Sequence, residues 1–471
     1  MSDARRIPQV VIVGGGFAGL KAAEALAKLP VRVTIVDRKN HHTFQPLLYQ
    51  VATAGLSPAE IAAPVREILG HFRNVEVLLG DVIGVDVGSR KLHLHGYDLS
   101  YDYLIVAAGA THAYFGHDDW EPFAPGLKTL EDALEIRRRV LLAYELAERE
   151  ALLTGTHMPL TFVVVGGGPT GVELAGTLGE ISRISMSNEF KHIDPTKTRI
   201  ILVEAGPSVL STFPPDLRQS ALRQLQKLGV EVRLNSKVTG VREGEIQIGS
   251  EIMPAAVILW AAGVSASPLG KALGAPVDRA GRVLVSPDLS IPGHPEVFVV
   301  GDLASITYDG GKPVPGLAPA AMQEGKWAGR QIKNDLAGKP REPFQYLNKG
   351  TLATIGRAAA VADLPWNIHI SGLFAWLSWL FIHIFFLIGF RNRLAVMFDW
   401  AWSYLTYKRS ARLITGESNI VPIATLTHME EASERVAQME AATERPGLAA
   451  NDGQGSADAK ANAAHPTQRT A

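Results

Sequence analysis

The 471-residue chain contains no cysteine. That absence excludes structural disulfides, thiolate zinc sites, iron–sulfur clusters and any mechanism that passes electrons through a protein dithiol. Charge of one sign is not in excess either. Lys and Arg total 46 against 47 Asp and Glu, whereas polyanion binders normally carry a basic surplus, so nucleic acid is not an expected partner. The N-terminus, MSDARRIPQVVIV, lacks a separate apolar run and a small-residue cleavage site, so no signal peptide is read and the bulk of the chain is expected in the cytoplasm. Disorder of the whole chain is excluded too: 46% of residues are hydrophobic and 20% charged, a globular composition that this length divides into two or three domains.

What the chain does have is glycine, 45 in all and unevenly placed. VVIVGGGFAGLKAAEALA, from Val10, reads like FVVVGGGPTGVELAGTLG, from Phe162. Each is an all-apolar, β-branched run, three glycines, a small-residue turn and then helical spacing. Each half also ends alike, in YLIVAAGATHA from Tyr103 and VILWAAGVSAS from Val257. The cradles and the closing segments both recur roughly 150 residues apart, so the chain carries two copies of one module. Unbroken apolar strands of this kind belong to parallel sheets covered by helices on both faces. A further strand, VFVVGD at Val297–Asp302, has no partner downstream and is expected to return to the first module. The expected organisation is therefore a discontinuous first domain at 1–112 and 290–340, with a second at 113–289 inserted in it. A C-terminal region follows at 341–425, and the aromatic-free remainder, 426–471, reads as a disordered tail.

Gly14-x-Gly16-x-x-Gly19 follows a strand and opens a helix, and Asp37 closes the next apolar run, VRVTIVD. The first glycine makes the tight turn, the second admits a pyrophosphate against backbone amides, and the third lets helix and sheet approach. Phosphate sits at the helix N-terminus, and Asp37 is placed to accept from a ribose diol. Gly166-x-Gly168-x-x-Gly171 repeats the arrangement, with Glu204 at the end of RIILVE as its acid. Its interval exceeds the usual ~20 residues, which an insertion around 185–197 would explain. Glu204 accepts from a 2′-hydroxyl and repels a 2′-phosphate, favouring NAD over NADP. Two dinucleotides in one chain imply hydride transfer between a nicotinamide and a flavin, chemistry that needs placement more than a nucleophile or a metal. Asp302 would end a strand of the flavin module, within reach of ribityl hydroxyls or as a helix cap.

These motifs resemble the two-dinucleotide-binding flavoproteins. The stretches HHTFQPLLYQVATAGLSPAEIAAPVR (His41 to Arg66) and HIFFLIGFRNRLAVMFDWAW (His383 to Trp402) narrow the resemblance to the type II NADH:quinone oxidoreductases, single-subunit enzymes that do not pump protons. The resemblance implies an α/β fold of two Rossmann-like domains, for FAD and NAD, plus a C-terminal helical membrane-anchoring region. It implies non-covalent FAD in the first cradle, NADH in the second and a membrane quinone as acceptor. Glu173, in GVELAG, matches the family's glutamate near the nicotinamide–flavin contact, and Gln323 matches the second glutamine of its quinone-site motif. The first glutamine of that motif is replaced here by Pro319. The cofactor-binding set is completed by Phe17, Ala18, Arg38, Gln45, Val82, Ala108, Gly109 and Gly263. A soluble reductase of a protein acceptor and a non-catalytic NADH sensor stand as rival readings.

The run Leu373–Phe390 carries no formal charge, and Trp366, Trp376, Trp379, Trp400 and Trp402 lie in or beside it. Arg391, Arg393, Lys408, Arg409 and Arg412 follow. A helix lying in the lipid surface, a spanning helix and a buried or dimer-forming helix all fit, with the first favoured by the aromatic and cationic flanks. The expected place is the cytoplasmic face of the cell membrane, peripheral or monotopic, with a single pass as the alternative and dimerisation left open.

Overall fold

The computed structural model describes residues 6–157, 159–308, 311–406 and 411–416. The β-branched run Gln9–Val13 (β1) leads through the glycine turn into the helix Phe17–Leu26 (α1) and the strand Arg32–Asp37 (β2). Val75–Leu79 (β3) and Tyr103–Val106 (β4) complete the first module's parallel core, in which β1 lies between β2 and β4 and β3 flanks β2. Val10, Val11 and Ile12 have no exposed surface, so both faces of β1 are covered and every residue of the run can be apolar.

The long helix Leu130–Thr154 (α2) begins at a capping box formed by Thr129 and Asp132 and leads to the second copy. Thr161–Val165 (β5), the helix Pro169–Glu180 (α3), Arg199–Val203 (β6), Val230–Arg233 (β7) and Val257–Trp260 (β8) form a parallel sheet in the order β7-β6-β5-β8. The central strand again lies between its successor and the closing strand. Between α3 and β6 the chain makes a π-helical turn at Ile181–Ser185 and a 3-10 turn at Pro195–Lys197. The Glu148 carboxylate of α2 pins this loop by accepting the backbone N–H groups of Lys191, His192 and Ile193. That loop accounts for the long interval before Glu204. The strand His294–Val299 (β9) then pairs in parallel with β4, so the chain returns to the first sheet before entering the helix Ala318–Leu336 (α4), which packs along α1.

The C-terminal region departs from a purely helical expectation. Thr351–Gly356 (β10), Ala359–Leu364 (β11) and Ile368–Ser371 (β12) form an antiparallel sheet. It sits on α3 so closely that a Cβ on Gly176 would lie 1.7 Å from the Ile355 carbonyl oxygen. The Glu180 carboxylate accepts the Arg357 N–H beside this contact.

The apolar run beyond the sheet is not one helix. Leu373–Phe386 (α5) has 14 residues, Leu387 is extended, Gly389 takes φ +87°, and Phe390–Thr406 (α6) follows. At ~1.5 Å per residue α5 covers about two-thirds of a ~30 Å hydrocarbon layer. Among the described residues, no helix is long and apolar enough to cross a membrane. Lys408, Arg409, the Arg391 side chain and the expected tail lie outside the described residues.

Gly176→Ala should force the new methyl group into the Ile355 carbonyl and destabilise the fold by about 2 kcal/mol. The denaturant midpoint should fall, with faster proteolysis between 348 and 371. An unchanged midpoint would show that the sheet is not held there.

Candidate functional site

The two glycine turns are alike in detail. Gly14 and Gly166 take φ +103° and +109°, and a Cβ on either would lie 2.4 Å from a carbonyl oxygen, of Ala107 and Ala261 respectively. Only glycine fits there. A Cβ on Gly19 or Gly171 would lie 1.8 Å from the carbonyl of the turn's first glycine, so the cradle helix rests on its own turn. Around Gly16 and Gly168, by contrast, a Cβ would meet nothing within 4 Å. Space is left where a pyrophosphate would pass. Neither α1 nor α3 has a side-chain cap or an acidic residue in its first turn, unlike α2. Their first N–H groups and dipole ends are thus presented without a resident anion, which suits a phosphate ligand.

The predicted acids hold these turns. Asp37 accepts the Gly15 N–H at 2.5 Å and the Lys39 N–H at 2.7 Å. Glu204 accepts the N–H groups of Gly167 and Gly206, each at 2.6 Å. A carboxylate has about four lone-pair sites, so each acid keeps capacity for a ribose hydroxyl after binding two amides. His42, buried on a short strand after β2, adds a bond between its Nδ1 and the Gly15 carbonyl at 3.0 Å, and burial pulls its pKa below the ordinary value.

The first turn opens into a cavity of 330 Å³. Gly14, Gly16, Phe17, Ala18, Asp37, Arg38, Gln45, Ala108, Gly109 and Asp302 all line it. A second cavity of 790 Å³ is lined by Pro169, Thr170 and Glu173 from the start of α3, by Gly263, and by Asp302 again. The two share Gln45, Ala110, Lys128, Gly301, Asp302, Gly316 and Leu317 as wall residues, so the cradles face adjoining spaces. In that shared wall Lys128 pairs with Asp302 at 3.3 Å.

Two predicted residues stand elsewhere. Val82 lies on a small three-stranded sheet and packs with the cluster of Val11, Leu92 and Leu94, away from the residues lining either cavity. Gln323 does not line them either. Its amide donates to the Pro319 and Leu347 carbonyls and accepts the Leu347 N–H at 2.9 Å, clasping the chain that leads to the C-terminal sheet.

Glu173 is half-buried in the cavity wall, and desolvation lifts its carboxyl to about 8 against one favourable bond from the Thr354 N–H. It therefore holds a proton at neutral pH. Sequence reading missed Glu324, in the second turn of α4. It is 3% exposed, lines the larger cavity, accepts the Gly301 N–H, and is also raised to about 8, chiefly by burial. Its only signal in the sequence was a lone glutamate beside Gln323.

Rings connect the first cradle to the C-terminal helices. Phe17 meets Phe44 at 5.8 Å between centroids, Phe44 meets His383 at 6.1 Å, and His383 stacks on Trp379 at 4.3 Å. Trp379 in turn contacts Trp400 of α6 at 5.4 Å. Burial lowers His383 to about 4, so it stays neutral within this row of rings.

The family model of pyridine nucleotide-disulphide oxidoreductases matches residues 8–325, and that of the NDH2 C-terminal domain matches residues 348–408. The chain is 44% identical over 446 residues to the type II NADH:quinone oxidoreductase Ndh of Mycobacterium tuberculosis, covering 91% of this chain and 94% of the relative. It is 28% identical over 440 residues to the mitochondrial internal alternative NAD(P)H-ubiquinone oxidoreductase A1 of Arabidopsis thaliana, covering 86% of each. The fold matches that of Plasmodium falciparum NDH2 solved with NADH at a TM-score of 0.79, with 21% identity over 87% of this chain and all of that one. With two like cradles opening on adjoining cavities and a C-terminal unit seated on the second, the chain belongs to the type II NADH:quinone oxidoreductases.

Proposed function

We propose that the chain oxidises NADH and reduces a membrane quinone by two electrons, using FAD in the first cradle and pumping no protons. The observation that carries this reading is the shared wall between the two cradle cavities, which supports ring-to-ring placement of two dinucleotides. When bound, FAD would supply the two-electron redox chemistry between a nicotinamide and a quinone.

The protein's own residues bind, orient and exclude water. Asp37 and the free amides of α1 hold the first dinucleotide by its ribose and phosphates, with Phe17, Ala18, Arg38, Gln45, Ala108 and Gly109 enclosing it. Glu204 and α3 do the same for NADH, and the carboxylate of Glu204 repels a 2′-phosphate. Asp302, held by Lys128, faces both spaces. Glu173, protonated and held by the Thr354 N–H, faces the nicotinamide side as a neutral donor. Gln323 acts on the quinone side through Leu347, whose backbone it fixes.

The C-terminal helices supply the place. Phe374, Phe381 and Phe398 are 72%, 70% and 71% exposed, while Trp379, Val396 and Trp400 face inward. Bare aromatics outward and buried ones inward support a helix pair that lies in a lipid surface, where a lipid-soluble quinone would be reached without crossing water. Burying one such ring contributes roughly 1.5–3 kcal/mol, so three anchor firmly.

Purified protein should be yellow, should be bleached by NADH without oxygen, and should recover colour on addition of a soluble quinone. A flavin that NADH cannot reduce would end the reading. Glu204→Gln should lower the NADH over NADPH preference in kcat/KM about tenfold or more, since the repelling charge is gone. Unchanged selectivity would take Glu204 away from the ribose. The triple change Phe374→Ser, Phe381→Ser and Phe398→Ser should reduce flotation with liposomes at least tenfold while NADH still bleaches the flavin. Equal flotation would remove these helices from the lipid contact.

A further inference from the structure

The proposed reaction leaves one proton to be found. NADH yields a hydride, which is two electrons and one proton, whereas a quinone becomes a quinol by taking two electrons and two protons. The second must come from an acid, and a buried site needs one that is protonated at working pH and close to the reacting space.

Glu324 meets these conditions by its position. It occupies the turn of α4 pressed against α1, where a Cβ on the next residue, Gly325, would lie 2.0 Å from the Ala18 carbonyl oxygen. The turn cannot swing outward, and the Glu324 carboxyl is held inside, lining the 790 Å³ cavity that Glu173 enters from α3. Its Oε2 accepts the N–H of Gly301, a residue lining both cavities, so the acid sits at the junction of the two cradles.

The surroundings favour the neutral acid. The adjacent turn contributes Asp302, whose negative charge opposes ionisation, and Lys128 is drawn to Asp302 rather than left to offset it. The segment after α4 contributes Tyr346, with Tyr308 edge-on to it at 5.0 Å. From α1, the backbone of Ala18 packs against the adjacent Gly325. Burial dominates, and the carboxyl is raised to about 8.

We infer that Glu324, reaching the shared space from α4 as Glu173 does from α3, is the proton donor for quinone reduction. In this step the Glu324 O–H bond breaks and a quinone O–H bond forms, as the quinone receives the two electrons and the one proton that the NADH hydride supplied. The resulting carboxylate regains its proton from water through the cavity. The inference rests on the proposed NADH and quinone activity.

The test is Glu324→Gln in the FAD-loaded protein. The amide oxygen can still accept the Gly301 N–H and, like the protonated acid, carries no charge, so FAD content and NADH bleaching should match the parent. Reoxidation by a soluble quinone should slow by about 10²-fold. In the parent, the acid must be protonated to act, so the quinone step should be full below pH 8 and fall as pH rises through about 8. That limb should vanish in the variant. Independently of activity, infrared spectra of the parent should show protonated-carboxyl C=O absorption that fades over the same pH range, and the parent-minus-Glu324→Gln difference spectrum should isolate one such band, the Glu173 contribution remaining in the variant. An unchanged quinone step with the same pH limb would overturn the inference. So would loss of FAD from the variant, which would make Glu324 a strut for Gly301. A parent that NADH reduces but no quinone reoxidises would instead refute the underlying activity.

Discussion

Everything in this molecule that bears on chemistry depends on a carboxylate at the end of a strand accepting the N–H of the middle glycine in the preceding turn. Asp37 does this for Gly15 and Glu204 for Gly167. The bond ties the turn to the neighbouring strand and fixes where the helix amides point. The same acid retains lone pairs after binding the turn, so one group shapes the cradle and still has capacity for a further donor. The second acid of the pair also binds Gly206, so nucleotide choice and loop geometry are linked in that half.

Much of this was legible in the chain itself. Cradles, flanking strands and acids follow from local rules, because a tight turn, a close helix and a buried strand each restrict residue type at a known spacing. The return of His294–Val299 to the first sheet could be read because its apolar run had no partner nearby. Less local features were not legible. Glu324 acquires its character from burial against α1 and from Gly301, partners far away in sequence, and nothing in its own neighbourhood announces that. The C-terminal sheet was missed for a similar reason. Its strands are short and small-residue rich, and they are specified by the bare surface of α3 at Gly176 as much as by their own pattern. Gln323 was placed by resemblance, but its amide is spent on the backbone of Leu347, a commitment no motif encodes.

The C-terminal unit is built into both halves. Its sheet touches the helix of the second cradle through Thr354, Ile355 and Arg357, and its helices reach the first cradle through His383, Phe44 and Phe17. Trp400 adds a bond from its Nε1 to the Gln50 side chain, and Asn392 one to the Ala62 carbonyl. The exposed aromatic surface of these helices is thereby fixed relative to the two cradles by packed rings and backbone bonds. Close packing of this kind transmits position, since interiors are too dense to yield by small continuous shifts.

The absence of cysteine then has a structural counterpart. The scaffold shared with pyridine nucleotide-disulphide oxidoreductases spans residues 8–325, but with no dithiol the electrons cannot leave by thiol exchange. An acceptor must come to the flavin, and a water-insoluble one needs an apolar approach that also delivers a proton. Apolar surroundings suppress ionised groups, so an acid placed there becomes neutral and able to donate. Glu173 and Glu324 are both in that condition, and burial is the leading cause for each. The dryness that admits a lipid-soluble acceptor is thus the same property that arms the acids beside it.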